Sequence, residues 1–139
     1  IYLADRYSYG DLAPKVEDAR RGAYLQWMVY STAVLEPATA LNGATVSFPA
    51  GPPPWGPGWG TQDEVVSLMR HTLEGRDYLL GEAFTAADVM LGSMISIRLF
   101  TKMLPPDPVL SAYNERLMAR PAYKKAGEIN WPPTLFPPS

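Results

Sequence analysis

Tyr24, Trp27, Met28 and Ser31 are the residues of this sequence best suited by type and spacing to binding chemistry. Positions i, i+3, i+4 and i+7 share one face of a helix. Aromatic and methionine side chains on such a face can hold varied apolar ligands, because they adapt without demanding directional contacts. The same stripe is also the ordinary appearance of a packed core face. Charged candidates are few. Arg98 interrupts an otherwise apolar stretch, and a buried arginine needs a partner, either an ion pair or an anionic ligand. Arg20 and Arg21 form a basic pair just ahead of Tyr24, suited to solvent or to carboxylates. His71 is the only histidine and there is no cysteine, which excludes a thiolate nucleophile, a disulfide and a multi-histidine metal site within these residues. No metal ligand set is therefore expected in the chain.

The elements that must position these residues begin with Glu82-Ala-Phe-Thr-Ala-Ala-Asp-Val-Met, which reads as a helix start. Thr85 can cap the free N–H groups of the first turn, and Asp88, three residues on, can reach back to the N–H of the cap in a capping box. Phe84 before the cap and Val89 after it match the spacing of a hydrophobic staple. The helix runs to about Met103 with apolar residues around most of its circumference, which predicts burial on all sides. Gly92 and Ser93 are its expected close-packing points.

Upstream, Ile1 to Tyr7 reads as the end of a helix, broken by Ser8-Tyr-Gly-Asp. A long helix is expected from Pro14 to about Asn42, with Glu17 and Asp18 in its first turns at the positive end of the helix dipole. Pro37 should kink or interrupt it near Val34 to Glu36. Residues 43–60 hold too much Pro and Gly for a helix or central strand and read as a connector. Thr61 caps the next helix, whose apolar face is Val65, Leu68, Met69, Thr72 and Leu73, with Gly75 at its end. Asp107 caps a further helix with Pro108 at its first position and Val109, Leu110, Tyr113 and Leu117 on its face. A short helix from Ala122 to about Glu128 precedes a proline-rich tail. The fold class is all-α, a helical bundle.

The 139 residues fit one domain with a single sizeable core. Net charge is −2 without any basic block, so nucleic acid is not an expected partner. No apolar run approaches membrane-spanning length, and no signal-peptide pattern opens the chain. A cytoplasmic protein with no membrane partner is expected.

Four ordered motifs carry a family resemblance. They are Arg21-Gly-Ala-Tyr-Leu-Gln-Trp-Met with Leu35-Glu-Pro-Ala; Gly58-Trp-Gly-Thr-Gln-Asp-Glu-Val; Tyr78-Leu-Leu-Gly-Glu-Ala-Phe-Thr-Ala-Ala-Asp-Val; and Arg120-Pro-Ala-Tyr. Together they resemble the C-terminal helical domain of bacterial cytosolic glutathione S-transferases. The resemblance implies that residues 1–9 end the last helix of a thioredoxin-like domain that is absent here. It also implies that 10–128 form the helical domain and 129–139 its tail. In that family the thioredoxin-like domain binds glutathione, the co-substrate, and supplies the residue that acts on the thiol. The helical domain would contribute the pocket for a small hydrophobic electrophile, walled by Tyr24, Trp27, Met28 and Ser31. Arg98 would be a further contact, Trp131 part of a lid, and Arg20 and Arg21 possible contacts to glutathione carboxylates in a homodimer. The segment alone is expected to be inactive. An alternative from another class is a non-catalytic helical module of the same fold, used for protein–protein assembly.

Overall fold

Apolar residues at helical spacing, separated by prolines, glycines and capping residues, divide the chain into a sequence of short helices. The computed structural model describes residues 1–40 and 58–130. They comprise α1 (Tyr2–Tyr7), α2 (Arg21–Tyr30), a π-helical turn (Ser31–Leu35), α3 (Glu36–Ala40), α4 (Gln62–Leu73), α5 (Ala86–Phe100), α6 (Pro108–Met118) and α7 (Pro121–Asn130). Among the described residues the only β-type pairings are two isolated bridges, Tyr9 with Ala13 and Tyr78 with Gly81. The all-α expectation holds. The expected connector at 43–57 and the tail from Trp131 onward lie outside the described residues.

The core lies where α5 packs between α2 and α6, with α4 against α6 and α3. Tyr24, Leu35, Met69, Leu79, Leu91, Ile95, Leu110 and Tyr113 are its large fully buried side chains. The long helix expected from Pro14 instead begins at Arg21, and Glu17 and Asp18 precede it. Asp18 offers its carboxylate to the backbone N–H of Arg20 at 2.8 Å, a local bond that competes with helical continuation. Downstream, Pro37 has no N–H to give the carbonyl four residues back. The backbone widens into the π turn at Ser31–Leu35 directly before it, so the interruption starts earlier than the sequence suggests.

Helix α4 has a complete capping box. Glu64 Oε2 accepts the Thr61 N–H at 2.7 Å, and the Glu64 N–H reaches Thr61 Oγ1 at 3.3 Å. Its buried face is Val65, Val66, Met69 and Leu73. Leu68, expected in that face, is exposed. Gly75 follows the helix with φ +71°, the left-handed conformation that ends a helix with little steric cost for glycine. Asp107 caps α6 as expected, accepting the N–H groups of Val109 and Leu110 at 2.9 and 3.1 Å.

Helix α5 departs from its expected burial. Its inner face is Ala87, Asp88, Leu91, Gly92, Ile95 and Arg98, whereas Val89, Ile97 and Phe100 are exposed, Phe100 by 83%. Both charged residues of the helix thus point inward. Phe84, ahead of the cap, packs edge-on to Tyr78, with ring centroids 5.4 Å apart, and under the Arg120 guanidinium. Gly92 meets Leu117 of α6 as a close-packing point. Ser93 does not; it is exposed and its hydroxyl donates to the Met90 carbonyl at 2.9 Å.

Candidate functional site

Tyr24, Trp27, Met28 and Ser31 do fall on one face of α2 and its π continuation, and that face is turned into the bundle. Tyr24 and Ser31 are fully buried, and Trp27 and Met28 each keep 8% of their surface. Trp27 packs edge-on to Tyr30 with centroids 5.0 Å apart, and Ser31 Oγ donates back to the Trp27 carbonyl at 3.0 Å. The stripe is core in this chain and lines no open wall among the described residues. One atom is out of keeping with a finished core: the Tyr24 hydroxyl is buried without a hydrogen-bond partner among the described residues. Burial raises the phenol's pKa, so the group stays protonated. A buried unpaired hydroxyl costs free energy, and removing it while keeping the ring can be neutral or stabilising. Tyr24→Phe is therefore expected to leave the unfolding free energy unchanged or raise it by up to about 1 kcal/mol. A loss above that size in urea unfolding would mean that the hydroxyl has a partner.

Arg98 is 6% exposed and faces the end of α3. Its Nε donates to Thr39 Oγ1 and its Nη1 lies 3.4 Å from Met94 Sδ. The ion pair that its burial leads one to expect is not formed. All 14 acidic residues of the chain are among the described residues, and none of their side chains approaches Arg98 within 4.0 Å. Glu36, one α3 turn from Thr39, stays exposed. Desolvation lowers the Arg98 pKa, and the more distant Glu36 charge opposes it. A hydroxyl and a thioether thus replace the carboxylate, because the nearest acid keeps its own hydration.

Arg20 and Arg21 diverge. Arg21 crosses to α1, donating to Asp5 Oδ1 and Oδ2 at 2.6 and 2.9 Å and to the Pro14 carbonyl at 3.0 Å, and it lies 5.2 Å from the Tyr24 ring centre. This fork ties α1 to the bundle through Nη1 and Nη2. Arg20 is more exposed and pairs with Asp18 through Nε and Nη2 at 3.0 and 2.6 Å. The Arg20 side chain and backbone hold the Asp18 carboxyl down to about 2, and Arg21 likewise lowers Asp5. The Thr61 cap lowers Glu64. Each depressed carboxyl adds stability that is present above its unfolded pKa and lost as pH falls through the folded value. Stability should accordingly hold above about pH 4.5 and fall from there towards pH 2. Asp18→Asn is expected to flatten the lower part of that limb in pH-resolved thermal unfolding; an unchanged limb would contradict the pairing.

Thr85 and Asp88 form the most fully connected polar group in the structure. Asp88 is completely buried. Its Oδ2 accepts the Thr85 N–H at 2.8 Å and the Thr85 hydroxyl at 3.1 Å; its Oδ1 accepts the Leu79 N–H and the Tyr113 hydroxyl, both at 2.9 Å. The Asp88 N–H itself goes to the Thr85 carbonyl at 3.0 Å, so the carboxylate carries most of the box. Burial, then the Asp88 charge, raises the Tyr113 pKa and keeps its hydroxyl a donor. Leu79 and Tyr113 carry no spacing signal that would tie them to Asp88 in sequence.

The surface hollows among the described residues include two of note. One, of about 580 Å³, lies between the end of α4 and α6 and is edged by Glu74, Asp77, Glu82 and Arg116; Arg116 is spent on Asp77, donating to its carbonyl at 2.8 Å. The other, of about 350 Å³, brings Arg20 to Phe84, Thr85 and Arg120. His71 is exposed on α4. No three His, Asp or Glu side chains among the described residues cluster as a metal site, and no described helix is long and apolar enough to cross a membrane.

No family sequence model matches the chain, and no curated relative matches it by sequence. Solved structures do match. A glutathione transferase from Methylococcus capsulatus aligns at TM-score 0.72 and 22% identity, over 92% of this chain and 63% of that one. A glutathione S-transferase from Actinobacillus pleuropneumoniae aligns at 0.65 and 23%, over 92% and 59%. A theta-class enzyme from Xanthomonas axonopodis pv. citri, solved with glutathione bound, aligns at 0.62 and 26%, over 89% and 67%. The chain thus has the all-α fold of the helical domain of glutathione transferases, and it spans about three fifths of the length of the first two.

Proposed function

We propose that these residues are the helical part of a glutathione transferase, with residues 10–128 as its helical domain, 1–9 leading into it and 129–139 as a tail. The observation that carries this reading is the pairing of coverages: 92% of this chain against 63% of the Methylococcus enzyme. The remainder of such a protein would bind glutathione as co-substrate and activate its thiol, a step that needs a donor or base at the sulfur. In the whole protein, a homodimer of the cytoplasm, the head of α2 would then back a pocket for a small hydrophobic electrophile. Trp27 and Met28 would back it through the 8% of surface that each keeps, with Tyr24 and Ser31 buried behind them, Arg98 as a further contact and Trp131 as part of a lid. Arg20 retains donors for a glutathione carboxylate, whereas Arg21 is committed to Asp5.

A second reading has its own support. The closed Tyr24 stripe and the uncharged outer face of α5 suit a helical module that assembles with other proteins and catalyses nothing. One experiment separates the two. The 139-residue chain alone is expected to add nothing to the solution rate of glutathione with 1-chloro-2,4-dinitrobenzene. The product of the complete reading frame that contains it is expected to bind immobilised glutathione and conjugate that substrate. Conjugation by the chain alone would refute the division of labour, and a complete product that neither binds nor conjugates would favour the assembly module.

A further inference from the structure

We infer that the 350 Å³ hollow between the 10–14 segment and the entry to α5 is a binding site for a small oxyanion, held by the guanidinium groups of Arg120 and Arg20. The site shares no lining residue with the Tyr24 stripe; Arg20 is the residue it has in common with the glutathione contact proposed above, and Arg120, its principal donor, has no part in that reading. Its volume sits at the lower end of small-ligand pockets, which suits a phosphate or a short carboxylate. Arg120 is the principal donor. Its guanidinium carbon lies 3.5 Å from the centre of the Phe84 ring, so the ring takes one flat face of the cation and leaves the in-plane N–H groups free to donate. None of the ion pairs among the described residues includes Arg120, and all 14 acidic side chains of the chain are among them. A half-buried, stacked guanidinium with no ion-pair partner among the described residues thus lies on the wall of a cavity.

Arg20 supplies the second arm. Asp18 engages its Nε and Nη2, which fixes the side chain and leaves Nη1 uncommitted. The walls are tied together, since the first N–H of α5, from Ala86, donates to the Leu12 carbonyl at 2.8 Å. Lys15 brings further positive charge to the rim, its stem lying against Gly10. Asp11 is the one acid lining the hollow, so the Arg120 side is the seat. A guanidinium recognises carboxylate or phosphate oxygens through its planar fork of N–H donors.

The site is tested by following the unfolding midpoint of the 139-residue chain against sodium phosphate and, separately, sodium succinate, with ionic strength held constant by sodium chloride. A ligand that binds the folded state raises the midpoint saturably. The expected result is a saturable rise with at least one probe. Arg120→Gln should weaken the apparent affinity tenfold or more and Arg20→Gln by a smaller factor, while Arg116→Gln in the other hollow leaves it unchanged. A rise with phosphate alone assigns a phosphate ligand, and a rise with succinate alone assigns a carboxylate. No saturable rise with either probe, or equal rises in the wild type and in both Arg120→Gln and Arg20→Gln, would overturn the inference.

Discussion

Asp88→Ala is expected to cost the fold about 3–5 kcal/mol, because it strips the acceptor from several buried donors at once. The Thr85 and Leu79 N–H groups, the Thr85 hydroxyl and the Tyr113 hydroxyl all converge on this carboxylate. Each buried donor left unpaired costs about 1–3 kcal/mol; partial rehydration and relaxation bring the sum down to the stated range. For a chain of this size the loss corresponds to a drop in Tm on the order of 10 °C. Asp88→Asn should fall between, since its amide keeps one oxygen but turns an NH2 group towards donors that need an acceptor. Tyr113→Phe removes one of four donors and should cost about 1–2 kcal/mol. Urea unfolding of the three variants checks the order. An Asp88→Ala midpoint within about 1 kcal/mol of wild type would show that the network does not hold α5, α6 and the 78–85 segment together.

The second large effect is expected at Gly92. In an exposed helix, replacing glycine by alanine gains about 1 kcal/mol. Here the added methyl would run into Leu117 Cδ1, with Tyr113 Oη 3.8 Å away. Leu117 is buried in the core, so it cannot swing into solvent to make room. Overpacking of this kind costs about 1–3 kcal/mol, and it should win over the propensity gain. Gly92→Ala is expected to be net destabilising and Gly92→Val much more so. The mechanism is checked with Leu117→Ala. That change alone opens a cavity and costs about 2–4 kcal/mol, but the double variant should lose clearly less than the sum of the two. Additive losses would show that Gly92 and Leu117 do not share the same space.

Much of this fold is written in local chemistry. The caps at Thr61, Thr85 and Asp107, the stop at Gly75 and the break at Pro37 are short-range effects, settled by backbone groups within four residues of the side chain that serves them. Those positions could be read from sequence alone, and with them the number and order of the later helices. The start of α2 could not. Pro14 and the acids after it satisfy every rule for a helical first turn, yet Asp18 finds Arg20 at closer range and holds the chain out of the helix until Arg21. That contest is decided by a side-chain bond whose strength no periodicity reveals.

By itself, the sequence determined the all-α class, the helix boundaries that rest on caps and prolines, and the absence of thiol chemistry. It did so because these depend on residue type and on neighbours a turn away. Only the tertiary structure decided which face of each helix is inside. The apolar circumference of α5 suggested burial all round, but its neighbours α2 and α6 cover one side only, and Val89, Ile97 and Phe100 are left outside while Asp88 and Arg98 turn inward. Likewise the stripe from Tyr24 to Ser31 is the same pattern whether it walls a cleft or fills a core; the packing of α2 on α5 makes it core here. The two arginines that line a common hollow, Arg20 and Arg120, lie 100 positions apart in the chain. Helical periodicity orders contacts along one helix; what a residue meets on another helix depends on how the two pack, and that is set by the whole core at once.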